Sequence, residues 1–224
     1  MKVYLGQTRS RRWLKRLCEL GFGEMTCRPA LMPKRLPFAL DNGAYGDWVH
    51  RRSFDEAAFL EHVELVLLAG FRPDFIVVPD IVAAGLESLR FSLDWLPRLK
   101  PLVGNVPLYL AVQDGMTRDD VWPHLGLVEG LFCGGTDPWK KATVGSWVKL
   151  AHEHGLLCHL GRAGTYGKVR LAIEVGVDSI DSSLPLMSQQ FFADFLAALR
   201  GEPKPTNPSK RKQLDLWSSE QAPR

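Results

Sequence analysis

Three absences narrow what this 224-residue chain can be. The first is any long apolar run. None reaches the roughly 18–20 residues that a membrane-spanning helix needs. The N-terminal KVYLG reads as a strand and turns basic at once, without the charged-then-apolar order of a signal peptide. A cytoplasmic protein with no membrane partner is therefore expected. The second absence is a metal-binding pattern. Cys18, Cys27, Cys133 and Cys158 form no CxxC pair and share no metal-ligand spacing, so reduced and mostly buried thiols are expected. His152 and His154 lie close in sequence, but residues two apart on a helix point to different faces and chelate poorly. The third is a nucleotide-cofactor signature. There is no GxGxxG and no P-loop, and no cofactor is expected.

What the chain does have is core material and an uneven charge. Hydrophobic residues make up 46%, enough for a sizeable interior. The net charge is only +3, yet residues 1–36 hold nine Lys and Arg against Glu19 and Glu24. Arg9, Arg11, Arg12 and Lys15 in this stretch are candidates for phosphate contacts; a solvated helix face is the competing reading. From about Glu202 to Arg224 the chain is rich in Pro, Ser, Lys and Gln, which predicts a flexible polar tail holding the Lys210-Arg211-Lys212 run.

Between these ends, short apolar runs alternate with amphipathic ones. Strands are predicted at 2–6, 37–41, 74–80, 107–115, 130–135, 156–164 and 177–183. Helices are predicted at 10–21, with Ser10 as cap and Gly21 as stop, and at 53–70, with Ser53 as cap and Glu56 completing a capping box. Others fall at 85–100, 117–125, 137–155, 165–176 and 189–201. Continuous apolar strands followed by helices imply a parallel sheet covered by helices. Seven strands are readable and an eighth is sought in GEMTCRPAL, residues 23–31. A count near eight favours a closed TIM-like (β/α)8 barrel spanning residues 1–201 as one domain. Trp13, Trp95, Trp122, Trp139 and Trp147 fall in helical contexts and read as packing. His159, in an apolar strand, reads as an interior histidine.

In such barrels chemistry gathers at the C-terminal ends of the strands. Here those ends are polar: Asp41 closes FALD, Asp80 closes FIVVP, Gln113 and Asp114 follow LYLAV, Gly134 and Gly135 follow GLFC, and Asp181 lies in VDSID. A single Asp at such a place is commonly a turn or cap residue. Together they suit a purine-like base. Carboxylates accept from its N–H edge, and an amide such as Gln113 donates to its acceptor atoms. A glycine backbone at Gly134–Gly135 lets an N–H approach closely. Tyr45 is a candidate stacking ring, and Asn42 lies in the same segment. Asp181 remains as a carboxylate for work at a sugar carbon.

At these residues the chain resembles the tRNA-guanine transglycosylase superfamily. FALDNGAYG, VVPDIV, LAVQDG, FCGGT, LGRAGT and VDSIDSS are similar, in order, to that family's motifs, over about residues 37–183. The resemblance implies Asp181 as nucleophile, Asp41 as acid/base group, and Asp80, Gln113, Gly134 and Gly135 as base readers, with Asn42 and Tyr45 in the same pocket. Departures are Ala44 and Asp114 in place of glycines, and the absence of the family's Cys-x-Cys-x-x-Cys…His zinc element. Compact zinc-free relatives form the DpdA-type branch of phages and bacteria, which inserts 7-deazaguanine bases into DNA. The resemblance therefore implies DNA as partner, with tRNA as the alternative, and a free base such as 7-cyano-7-deazaguanine as co-substrate. It adds Arg162 to the phosphate-contacting residues and a phage-encoded origin to the cytoplasmic location. A non-catalytic nucleic-acid-binding barrel is the reading from a different class.

Overall fold

The computed structural model describes residues 1–27 and 36–205. Eight parallel strands close into a barrel in chain order, the last pairing back onto the first. They are β1 (Lys2–Gly6), β2 (Gly23–Thr26), β3 (Phe38–Leu40), β4 (Ile76–Val77), β5 (Leu108–Val112), β6 (Gly130–Cys133), β7 (Leu157–Leu160) and β8 (Ser179–Ser182). The connections carry α1 (Arg11–Leu20), α2 (Ala44–Val49), α3 (Glu56–Leu68), α4 (Leu86–Val103), α5 (Arg118–Val121), α6 (Asp137–Glu153), α7 (Tyr166–Val175) and α8 (Gln189–Arg200). The chain thus forms the expected (β/α)8 barrel. Its eighth strand is β2, inside the stretch where it was sought; residues 28–31 of that stretch lie outside the described residues.

Alternation along each strand builds two cores. One set of side chains fills the barrel itself: Tyr4, Met25, Ala39, Phe75, Val77, Tyr109 and Ala111, with Phe132 packed against them. Phe75 and Tyr109 stack there at 4.1 Å, nearly parallel. The neighbouring set, including Leu5, Leu40, Ile76, Val78, Leu110, Val112, Leu131 and Ile180, packs outward against the helices. Each such fully buried side chain is worth about 1.5–3 kcal/mol of transfer free energy. Trp95 and Trp147 are buried among the helices, and Trp13 lies 4.8 Å from Phe192, so three of the five tryptophans pack as expected. Trp139 joins them, 5.9 Å from Trp147. Trp122 differs: it is exposed and donates from Nε1 to His154.

Several boundaries depart from expectation for local reasons. Ser10 and Gly21 bound α1 as predicted. For α3, however, Asp55 rather than Ser53 is the cap, accepting from Ala58 N at 3.0 Å. A carboxylate suits the positive end of the helix. The expected strand 74–80 narrows to Ile76–Val77 because Pro79 has no N–H to give the ladder. The short helix α2 was not legible in NGAYG, which has no apolar period; it starts after Gly43 in the left-handed region. Residues 202–205, predicted to begin a loose tail, are fastened instead. Glu202 N donates to Ala197 O, Tyr166 donates to Glu202 O, and Lys204 pairs with Asp194 at 3.3 Å. The remaining tail, with its Lys-Arg-Lys run, lies outside the described residues. No described helix is long and apolar enough to cross a membrane.

Candidate active site

At the C-terminal mouth of the barrel a cavity of about 490 Å³ gathers Asp41, Asn42, Tyr45, Asp80, Gln113, Gly134, Gly135, Arg162 and Asp181. All eight predicted pocket residues therefore line one space, and Arg162, expected at phosphates, lines it with them. They divide between two sides of the mouth.

The side built from β3, β4 and β5 is a hydrogen-bonded lattice. Asn42 Nδ2 donates to Val78 O at 2.9 Å and to Asp80 Oδ1 at 2.6 Å, while its own Oδ1 accepts from Ala44 N at 2.8 Å. Gln113 Nε2 donates to the other carboxylate oxygen of Asp80, and its Oε1 accepts from Ala83 N at 3.1 Å. Asp80 is buried, and burial lifts its pKa to about 6 against the pull of these two amides. Asn42 and Gln113 thus hold Asp80 first. Asn42 spends both of its N–H groups on Val78 and Asp80, whereas Gln113 gives one to Asp80 and keeps a second that can meet a ligand.

Asp41 sits beside this lattice, directly after β3. Its pKa is raised to about 7, chiefly by burial and next by the charges of Asp181 and Asp80, with the Gly43 and Asn42 backbone N–H groups acting the other way. A carboxyl group near 7 is about equally able to give and to take a proton at neutral pH.

Gly134 plays a part different from the one expected. Gly134 N already donates to Val112 O at 3.0 Å, so it is not free to reach a ligand. A Cβ at Gly134 would collide with the Gln113 amide, and one at Gly135 would collide with the Asp114 carboxylate. Gly135 also has φ +73°, a conformation that favours glycine. Asp114 accepts from Thr136 N at 2.7 Å and from the Thr136 hydroxyl, which pins the loop into α6. Small residues are needed here because side chains of the preceding strand end fill the space.

The opposite side is built from β7 and β8. Asp181 Oδ1 accepts from Arg162 N at 3.1 Å and contacts His159 Nε2 at 3.0 Å. His159 is fully buried, stacks on Phe132 at 4.8 Å, and places Nδ1 2.8 Å from Ser179 Oγ. Its apolar sequence setting hid this contact; the signal was its register beside the strand that carries Asp181. Two lysines were also missed. Lys140 is buried, donates to Gly161 O at 2.7 Å, and is lowered to about 8 by burial and then by the charge of Arg162. Lys168 pairs with Asp137 at 2.7 Å and reaches Arg162 O at 3.3 Å.

Arg162 joins the two sides. Its backbone is left-handed, at φ +58°, and its guanidinium donates to Gly135 O. The same group lies 4.0 Å from the centre of the Tyr45 ring. In a closed eight-strand barrel β3 and β7 stand opposite each other, so this cation–π pair crosses the mouth. One face of Tyr45, expected to be open for stacking, is therefore covered. The other predicted phosphate-contacting residues stand apart from the cavity. Arg9, Arg11, Arg12 and Lys15 are exposed on α1 and the loop before it, and Lys15 is 3.9 Å from Glu19.

Among the described residues no group of three or more His, Cys, Asp or Glu is arranged to hold a metal ion. No protein-family model matches the chain, and no curated protein matches it significantly.

Proposed function

We propose that this barrel is a base-exchange transglycosylase that replaces guanine in DNA with a 7-deazaguanine through a covalent aspartyl intermediate. The observation that carries the reading is the convergence of Asp41, Asp80 and Asp181 on one cavity in three different environments. Asp80, fixed by two amides, suits recognition of the N–H edge of a base. Asp41, raised to about 7, suits proton transfer in both directions. Asp181, gripped by one oxygen only, has its other oxygen available for bond formation. The choice of guanine, and of DNA over tRNA, rests on the resemblance and on the missing zinc element.

The steps balance without a redox partner. The target nucleotide is extruded from the duplex, at a cost of a few kcal/mol. Asp181 attacks C1′ as the C1′–N9 bond breaks, and the electron pair leaves with the base. Asp41 supplies that base with a proton. The incoming 7-deazaguanine then gives its N9 proton to Asp41 and attacks C1′, which releases Asp181. The exposed basic residues of α1 suit phosphate contacts, which add affinity without reading sequence.

The test is incorporation of labelled guanine, with duplex DNA and tRNA offered separately. Label should enter DNA, and Asp181→Ala should lower incorporation by on the order of 10³-fold or more while the fold persists. Label entering tRNA alone would move the substrate. Wild-type rates in Asp181→Ala would falsify the nucleophile assignment.

A further inference from the structure

Resting on that reading, the geometry points to a role for the buried pair behind the nucleophile: we propose that His159, itself oriented by Ser179, is the positioning residue that fixes the Asp181 carboxylate. The argument begins with strand register. Ser179 and Asp181 are two apart on β8, so both face the barrel interior, separated by about 6.6 Å along the strand. His159 on β7 is in register with Ser179. Its ring therefore begins level with Ser179 and reaches up to Asp181, with Nδ1 2.8 Å from Ser179 Oγ and Nε2 3.0 Å from Asp181 Oδ1.

Hydrogen placement follows from the chemistry of the ends. An ionised carboxylate only accepts, so Nε2 must carry the proton that faces Asp181. In the neutral ring Nδ1 is then an acceptor, and the Ser179 hydroxyl donates to it. The carboxylate selects the tautomer, and the Ser179 hydroxyl, able to donate or accept, completes it from below and fixes the ring's orientation. Phe132, stacked on the imidazole at 4.8 Å with planes within 10°, prevents the ring from tilting. Phe75 and Tyr4 crowd it at 5.2 and 6.2 Å.

The result is a carboxylate held asymmetrically. Oδ1 takes both donors, His159 Nε2 and Arg162 N. Among the described residues Oδ2 takes none, so the oxygen left for C1′ is defined by which oxygen is occupied. Removing the imidazole leaves Asp181 tethered only by the Arg162 backbone and free to rotate about its side-chain bonds. Such supporting partners typically change activity by about 10–100-fold.

The test uses the full chain with labelled guanine and duplex DNA. His159→Phe keeps the aromatic stack on Phe132 and removes the donor. His159→Gln keeps an N–H near the position of Nε2. The expected result is a fall in kcat of about 10–100-fold for His159→Phe, with KM for the free base within about threefold. His159→Gln should recover a large part of the loss at equal thermal stability. A matched fall in both variants, or a change confined to KM, would overturn the positioning role. A second readout is independent of turnover: ¹⁵N NMR of the wild-type imidazole should show Nε2 protonated and Nδ1 bare, with the Nε2 signal moving in Asp181→Ala. If no base exchange is found in wild-type protein, the transglycosylase reading fails by itself. The NMR signature then still decides the His159–Asp181 link, and a bare Nε2 or a signal indifferent to Asp181→Ala overturns it.

Discussion

The two sides of the barrel mouth use the same functional group in opposite ways. On the β3–β5 side, Asp80 has both oxygens bonded to side-chain amides, and those amides are tied back to Val78, Ala44 and Ala83. On the β7–β8 side, Asp181 has two donors on one oxygen and, among the described residues, none on the other. Saturating a carboxylate makes a rigid acceptor with a fixed outline. Leaving one oxygen bare makes a group that can form a bond. Asp41 stands between them, and burial together with its two acidic neighbours sets its protonation. The difference lies in hydrogen-bond partners, which residue type alone does not reveal.

The sharpest way to break the comparison, after loss of Asp181 itself, is to remove the carboxyl group proposed to carry the proton between the sides. Asp41→Asn keeps size and polarity but cannot exchange a proton near neutrality. Turnover should fall by on the order of 10²–10³-fold, the usual worth of a positioned acid/base group. The wild-type pH profile of kcat/KM should also show an inflection near 7 that the variant lacks. Turnover within about threefold of wild type, with the same inflection, would mean that Asp41 only shapes the pocket.

How much of this was legible in the sequence follows the same division. The barrel was legible because buried parallel strands read as apolar runs and helices announce themselves with caps such as Ser10 and Gly21. The eight pocket residues were legible because strand ends in this architecture face one mouth. Their partners were not. Gly134 looked like an open backbone donor until the paired strands showed its N–H already given to Val112. His159 looked like packing because its neighbours are apolar; only strand register puts it beneath Asp181. Arg162 looked like a phosphate ligand, whereas its guanidinium crosses the mouth to Tyr45. Those facts depend on which strand lies beside which, and one-dimensional spacing does not carry that.

A smaller effect should separate recognition from chemistry. Gln113→Ala removes one of the two amides on Asp80 and one donor into the cavity. If this side reads the base, KM for the free base should rise by about 10-fold, equivalent to about 1.4 kcal/mol, while kcat stays within a few-fold. A loss confined to kcat would instead assign Gln113 to the reacting centre and erase the distinction between the two sides.

The smallest expected effect concerns stability. Folding raises Asp41 from 3.8 to about 7 and Asp80 from 3.8 to about 6. Below pH 3.8 both states are protonated at these positions, so the groups do not alter the pH slope. Above it the unfolded chain releases the protons while the folded protein keeps them. Each group's contribution is therefore lost as pH rises, until it passes about 6 for Asp80 and about 7 for Asp41. The limiting slope is about 1.4 kcal/mol per pH unit for each group. Asp41 borders the cavity, and solvent there reduces the effect, so a change on the order of 1–2 kcal/mol is expected between pH 5 and pH 8. Asparagine does not titrate. The stability of wild type minus that of Asp41→Asn, from denaturant midpoints, should thus fall by that amount across the interval. In an Asp181→Asn background the fall should shrink, because one of the charges that raises Asp41 is gone. A difference that stays flat with pH in both backgrounds would place Asp41 at its ordinary value and remove the physical basis for the two-way proton transfer proposed for it.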